Sequence, residues 1–148
     1  MIGVIVDEVV GSPQNHFMFK ALNELSKTQD VYLFTSGLKQ LPMENKFAIM
    51  QQIEALHHPG ILIATSMLSA QVAANCLTAT KKYYYIWHFE WMQLQQFGFQ
   101  QINKIFYHDE MEIIARGKTH YNLFSQLFKQ PAGIAYNWDR ESLEEVIL

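Results

Sequence analysis

Five apolar runs, IGVIVDE, DVYLFTS, GILIATS, KKYYYIWHFEW and PAGIAYN, constrain this chain more than any other feature. Each is short, rich in Val, Ile or aromatic residues, and closes on polar groups. A strand with one wet face alternates apolar and polar residues. These runs do not alternate, so they fit strands buried on both faces, in a parallel sheet covered by helices. The expected architecture is α/β and Rossmann-like: three layers, with a mostly parallel sheet between helices. In open parallel sheets ligands bind beyond the carboxyl ends of the strands, where strand order reverses. The polar ends of the runs therefore predict a crevice lined by Asp7, Glu8, Ser36, Thr65, Ser66, His88 and Glu90.

The segments between the runs carry helical spacing and turn chemistry. Ser12 suits an N-cap, with Pro13 in the first helical turn, where its missing N–H costs nothing. Met18, Ala21, Leu22 and Leu25 then recur at i, i+3, i+4 and i+7, one apolar face that can pack on the sheet. A second strand over 30–36 completes a βαβ unit with a right-handed crossover. Residues 47–50 read either as a short third strand or as part of a helix continuing through Ile53 and Leu56, because four residues are too few for periodicity to decide. Pro59-Gly60 stops that segment. A strand over 60–65 follows, and Ser66 or Ser69 caps an Ala-rich helix to about Leu77. Lys81-Lys82 opens a β-prone strand running to Trp87. The aromatic, Gln-rich stretch from Phe89 to Phe106 reads as a loop and short helix over the sheet, or as an interface or lid using Trp91, Phe97 and Phe99. Short strands over 105–108 and 112–116, a helix over 119–129, a strand over 131–136 and a terminal helix bearing Leu143, Val146 and Ile147 on one side complete the chain. With no internal repeat and no Gly/Ser linker, residues 1–148 are expected to form one domain.

Composition excludes some functions. The 11 basic and 14 acidic residues leave a net charge of −3 with no dense Lys/Arg cluster, so nucleic acid is not an expected partner. No run is long enough to predict a membrane span. The single cysteine, Cys76, falls in an apolar helical stretch and suits a buried thiol in a reducing cytoplasm. The first loop, Gly11-Ser12-Pro13-Gln14-Asn15-His16, has neither the three spaced glycines of a dinucleotide site nor the Gly-Lys-Ser/Thr ending of a P-loop, so no NAD or ATP cofactor is expected. Its backbone N–H groups can still meet a sugar hydroxyl, a carboxylate or a phosphate. Candidate ligand-binding residues are therefore Asp7, Thr65 and Ser66 at strand ends, with Gly11, Ser12 and Asn15 of this loop.

The chemistry-bearing motifs are few. Asp7-Glu8 could suit a phosphorylatable receiver aspartate, but the central aspartate and late lysine of such domains have no clear counterparts. His108, Asp109 and His120 match no standard zinc spacing, and no metal site is expected. The triplet His88-Phe89-Glu90 is the candidate catalytic element. On an extended chain, residues two apart face the same side, so His88 and Glu90 can both enter the crevice while Phe89 packs away. A histidine beside a carboxylate can act as general base for an acceptor hydroxyl; the triplet reads equally as a structural histidine at a strand end. His57 and His58 precede a strand at its amino end, far from the crevice.

In order and spacing, the segments Ser12-Pro13-Gln14-Asn15-His16-Phe17, residues 30–36, 59–66 and 83–91, Ile113-Ile114-Ala115-Arg116, and residues 131–139 resemble the N-terminal domain of GT-B-type glycosyltransferases. They are most similar to the short single-domain glycosyltransferase-like proteins of tailed bacteriophages. The resemblance implies an acceptor-side Rossmann-like domain acting in glycosyl transfer from a nucleotide sugar, in the cytoplasm of the producing or infected cell. Asn137-Trp138-Asp139 looks like the Asn-Gly-x-Asp signature at which such chains pass into the donor domain, with Trp138 in place of the usual glycine. Gly117 likewise stands where a serine often follows Ile-Ala-Arg. The sequence ends about ten residues after that signature. The resemblance thus implies a chain incomplete as a catalyst by itself, completed by a separate donor-domain partner or by a homodimer using Trp91, Phe97, Phe99 and Trp138. The alternative is a non-catalytic module binding a sugar, a nucleotide or another protein on the same fold.

Overall fold

In the computed structural model, which describes residues 1–92 and 98–148, seven strands hydrogen-bond into one all-parallel sheet. They are β1 (Ile2–Val6), β2 (Val31–Thr35), β3 (Ala48–Gln51), β4 (Ile61–Ala64), β5 (Lys81–Ile86), β6 (Met111–Ala115) and β7 (Gly133–Ile134). Their order across the sheet is β3-β2-β1-β4-β5-β6-β7. From β1 the chain builds outward to β3, returns to lay β4 against the free side of β1, and then builds outward in the other direction. The reversal falls between β1 and β4, where Ile2 sits in register with Val31 on one side and Ile61 on the other.

Five helices cover the sheet: α1 (Pro13–Leu25), α2 (Met67–Asn75), α3 (Phe99–Phe106), α4 (Lys118–Leu127) and α5 (Arg140–Ile147). One apolar layer joins Met18, Leu22 and Leu25 of α1 and Leu143 and Ile147 of α5 to Val4, Leu33, Tyr83 and Tyr85. The opposite layer joins Ala70 and Ala73 of α2, Ile105 and Phe106 of α3 and Phe124 of α4 to Ile5, Leu62, Tyr84 and Ile86. The consecutive tyrosines of β5 thus enter opposite layers, as strand alternation requires. Full burial of each large apolar side chain contributes about 1.5–3 kcal/mol, which is why runs buried on both faces dominate the sequence. The expected α/β, Rossmann-like architecture is the one observed.

One open reading is settled and two others change. Residues 48–51 pair with β2 as a strand, and the segment after them is a short 3-10 turn, Gln52–His57, that leaves Ile53 exposed. The strand expected over 105–108 is absent: Ile105 and Phe106 form the last turn of α3. With Ile102 they make an i, i+3, i+4 stripe that is buried, and so short an apolar pair has no period of its own. Helix α2 stops at Asn75, so Cys76 is its C-cap, buried but outside the helix. Gly60 has a steric cause, since a Cβ there would stand 2.3 Å from the carbonyl oxygen of Met1, which accepts the Ile61 N–H. Among the described residues no helix is long and apolar enough to cross a membrane.

Candidate functional site at the strand-order reversal

Hydrogen bonds across the reversal fix the loops that follow β1 and β4. The Thr65 hydroxyl donates to the Ile5 carbonyl at 2.8 Å, tying β4 to β1. The Ser69 hydroxyl oxygen accepts the N–H groups of Thr65 and Ser66 at 2.9 and 2.8 Å, and the Ser66 hydroxyl oxygen accepts the Ser69 N–H at 3.0 Å. Both serines therefore serve the N-terminus of α2. On the other side of β1, the hydroxyls of Thr35 and Ser36 donate to the Asp7 carbonyl, which holds the Asp7 backbone at the carboxyl edge.

Two half-buried carboxyls, Asp7 and Glu90, lie in this frame. Asp7 is half-buried, and burial pushes its carboxyl above the ordinary value; the neighbouring Ser66 side chain offsets part of that rise, and Glu8 adds to it. Glu90 follows β5. One of its oxygens accepts the Tyr84 hydroxyl at 3.2 Å, and the other accepts the Met67 N–H in the first turn of α2 at 3.3 Å. Burial also raises the Glu90 carboxyl, against the lowering effect of those two donors, while the Asp7 charge raises it further. The same ionisation is resisted at Tyr84, whose phenol is pushed well up by burial and by Glu90. The result is two half-buried carboxyls, Glu90 at a helix N-terminus, able to accept hydrogen bonds from hydroxyl groups and to take a proton more readily than free carboxylates do.

The other expected residues have structural duties. Ser12 caps α1 by accepting the Asn15 N–H at 3.2 Å, and the buried Asn15 amide donates to the Val10 carbonyl at 2.9 Å. Gly11 lies against the Gln40 side-chain amide. Glu8 is exposed and pairs with Lys39 at 2.9 Å. Thr65 and Asn15 thus hold the frame, while Asp7, Ser66 and Glu90 are brought together.

His88 lies apart from that group. The extended chain ends at Ile86 and bends through His88, so the two-residue alternation does not continue to Glu90. Among the described residues no hydrogen bond or ion pair joins His88 to Glu90. The largely exposed His88 sits edge-on to Trp87 at 6.2 Å, with partial desolvation of its ring and the Arg116 charge holding its imidazole below the ordinary value. The Arg116 guanidinium lies 3.7 Å over the Trp87 ring and donates from Nε to Asn137 Oδ1 at 2.8 Å. His120 stacks on Phe89 at 4.6 Å, and its imidazole is held down by burial, then by Arg116. The edge is therefore acidic at Asp7 and Glu90 and basic around Arg116.

Tyr84 and Arg116 are the residues that sequence reasoning missed. Arg116 was findable, because it directly follows a strand at the same edge. Tyr84 was not: it lies inside β5 and reaches Glu90 only because the chain bends. Phe97 and the side chains of Trp91 and Phe99 lie outside the described residues. Among the described residues no group of three or more His, Cys, Asp and Glu side chains could hold a metal ion. Compared with protein-family models, curated proteins and solved structures, the chain has no match.

Proposed function

We propose that the protein is a glycosyltransferase-like binding module whose crevice holds a sugar, free or as a nucleotide sugar, against the carboxyls of Asp7 and Glu90. The observation that carries this reading is the two carboxyls, half-buried at the strand-order reversal, with Glu90 oriented by Tyr84 and the N-terminus of α2 and Asp7 beside Ser66. Sugar hydroxyls donate to such carboxylates, whereas a phosphate would be repelled by them, so the hydroxyl-rich end of the ligand faces Asp7 and Glu90. The basic side of the same edge, at Arg116, suits the phosphate end of a nucleotide sugar.

Binding is favoured over unaided catalysis because His88 and Glu90 are not joined. In a transfer reaction Glu90, with its raised carboxyl, would accept the proton of an acceptor hydroxyl, and His88 would be the second candidate base. Orienting donor and acceptor together contributes on the order of 7–11 kcal/mol to such a reaction, and a second copy or a separate donor domain would supply it. The backbone at Trp138 supports the glycosyltransferase likeness: its φ is 62°, a left-handed conformation suited to the glycine that the resembled signature carries there.

Calorimetric titration and thermal shift against nucleotide sugars, free nucleotides and simple glycans test the reading. The expected result is a saturable response that Asp7→Asn and Glu90→Ala remove while circular dichroism shows the fold intact. No response across the panel, or one indifferent to both substitutions, overturns it.

A further inference from the structure

At the carboxyl ends of β5 and β6 a group of side chains gathers charge of the opposite sign. Ile86 and Ala115 are in register, so the next residues, Trp87 and Arg116, leave the sheet side by side. Trp87 covers one face of the Arg116 guanidinium, whose carbon lies 3.7 Å from the ring centroid, and Asn137 accepts from its Nε at 2.8 Å. These two contacts fix the plane of the guanidinium and occupy one of its nitrogens. Arg116 is only partly buried, and among the described residues its two terminal nitrogens have neither a hydrogen bond nor an ion pair. They form the open side of a planar fork, a geometry that grips two oxygens of one oxyanion.

Two imidazoles belong to the same group. His88 directly follows Trp87 and is exposed, and among the described residues it has no hydrogen bond. His120, in the first turn of α4, stacks on Phe89. Partial desolvation, and then the Arg116 charge, holds both rings below the ordinary value of 6.5, and His88 adds to the effect at His120. Both are therefore largely neutral at pH 7 and gain a proton when an anion offsets the Arg116 charge. The other titratable groups around them are Lys118, in the same turn as His120, and His16, edge-on to Phe17 where Phe17 packs on Trp87. The Glu90 carboxyl, two residues after His88, is turned to Tyr84 and Met67. The group thus holds positive charge with no carboxylate paired to it.

We propose that Arg116, His88 and His120 form a phosphate-binding site, in which the terminal nitrogens of Arg116 grip two phosphate oxygens and the two imidazoles, protonated, donate to the others. His88 is then a phosphate ligand and not a general base. The proposal rests on the reading of Arg116 as the phosphate side of the edge, and it stands without a sugar at Asp7 and Glu90.

Isothermal titration with inorganic phosphate at low salt and about pH 6 tests it. The wild-type chain should bind phosphate saturably. Arg116→Gln should weaken that affinity roughly tenfold or more, the usual cost of a lost charged contact. Lys27→Ala, which removes a positive charge between α1 and β2 at the amino edge, should not. Sulfate has the same shape and keeps both charges while histidine titrates, so the pH dependence of its affinity belongs to the protein. That affinity should rise roughly tenfold or more from about pH 8 to about pH 5 in the wild type. It should stay nearly flat in a chain carrying His88→Ala and His120→Phe, which keeps a ring on Phe89. Circular dichroism checks each fold, and if Arg116→Gln does not fold, the sulfate profile of the histidine variant decides. A nucleoside diphosphate titrated alongside separates two sources: tighter binding than inorganic phosphate marks a nucleotide-borne group as the ligand, and equal or weaker binding marks free phosphate. No saturable phosphate binding, binding retained in Arg116→Gln or lost equally in Lys27→Ala, or a sulfate profile unchanged by the histidine substitutions overturns the proposal. Phosphate bound with no sugar response would remove the crevice reading alone, and a sugar response with no phosphate binding would remove this proposal alone.

Discussion

Glu90 shows how one side chain can be both held and unsettled. Burial opposes its charge, the Met67 N–H and the Tyr84 hydroxyl favour it, and Asp7 opposes it again, with the balance toward a raised value. The ordinary values are 4.5 for Glu90 and 3.8 for Asp7, and both carboxyls keep their protons to higher pH in the folded chain. The folded state then binds more protons than the unfolded one. The stability linked to these groups is fully present below the unfolded values and is lost as pH rises through the raised folded ones. Glu90→Gln cannot ionise but keeps an acceptor oxygen for its donors. Its melting temperature relative to wild type should therefore climb as pH rises above the ordinary value of 4.5; a difference that stays flat with pH would contradict the raised carboxyl. At this scale the sequence showed which residue types stand at the strand ends, since Asp7, Ser66 and Glu90 each close an apolar run. It did not show which of them meet, because Met67 lies 23 positions and Tyr84 six positions before Glu90.

Elements were legible where a local signal sufficed. Ser12 and Pro13 mark the start of α1 by residue type alone, and the structure uses them so. At α2 the sequence left Ser66 and Ser69 as rival caps, and both are used: Ser66 as N-cap, and Ser69, fully buried, as acceptor for two backbone N–H groups. The two roles predict different costs. Ser66→Ala loses a cap worth about 0.5–2 kcal/mol. Ser69→Ala also strands backbone donors at about 1–3 kcal/mol for each group left unsatisfied. Urea denaturation should place Ser69→Ala below Ser66→Ala in stability, and the reverse order would refute this division of labour. A misreading arose where an apolar cluster was too short to carry a period, at Ile105-Phe106, and the choice between strand and helix stayed open where only a neighbour could decide, for residues 48–51 beside β2.

Across the whole molecule, stability should follow position in the sheet. β1, β4 and β5 are paired on both sides and buried on both faces, whereas β3 is an edge strand with partly exposed residues and β7 has two residues. Hydrogen exchange should be slowest in β1, β4 and β5 and fastest in β3 and β7; edge strands protected as well as β1 would overturn that ordering. By itself the sequence determined a parallel sheet covered on both faces, the start of α1 and the polar character of the carboxyl edge. These follow from composition and period within a few residues, where the physics is local burial and backbone preference. Only the tertiary structure decided the rest. The chain leaves the sheet after Ile86 pairs with Ala115, so Glu90 turns to α2 while the His88 ring sits edge-on to Trp87. The left-handed turn at Asn137 and Trp138 is held by a tyrosine 53 positions earlier. Each depends on groups far apart in the chain being desolvated together, and no local pattern records which distant partner offsets that cost.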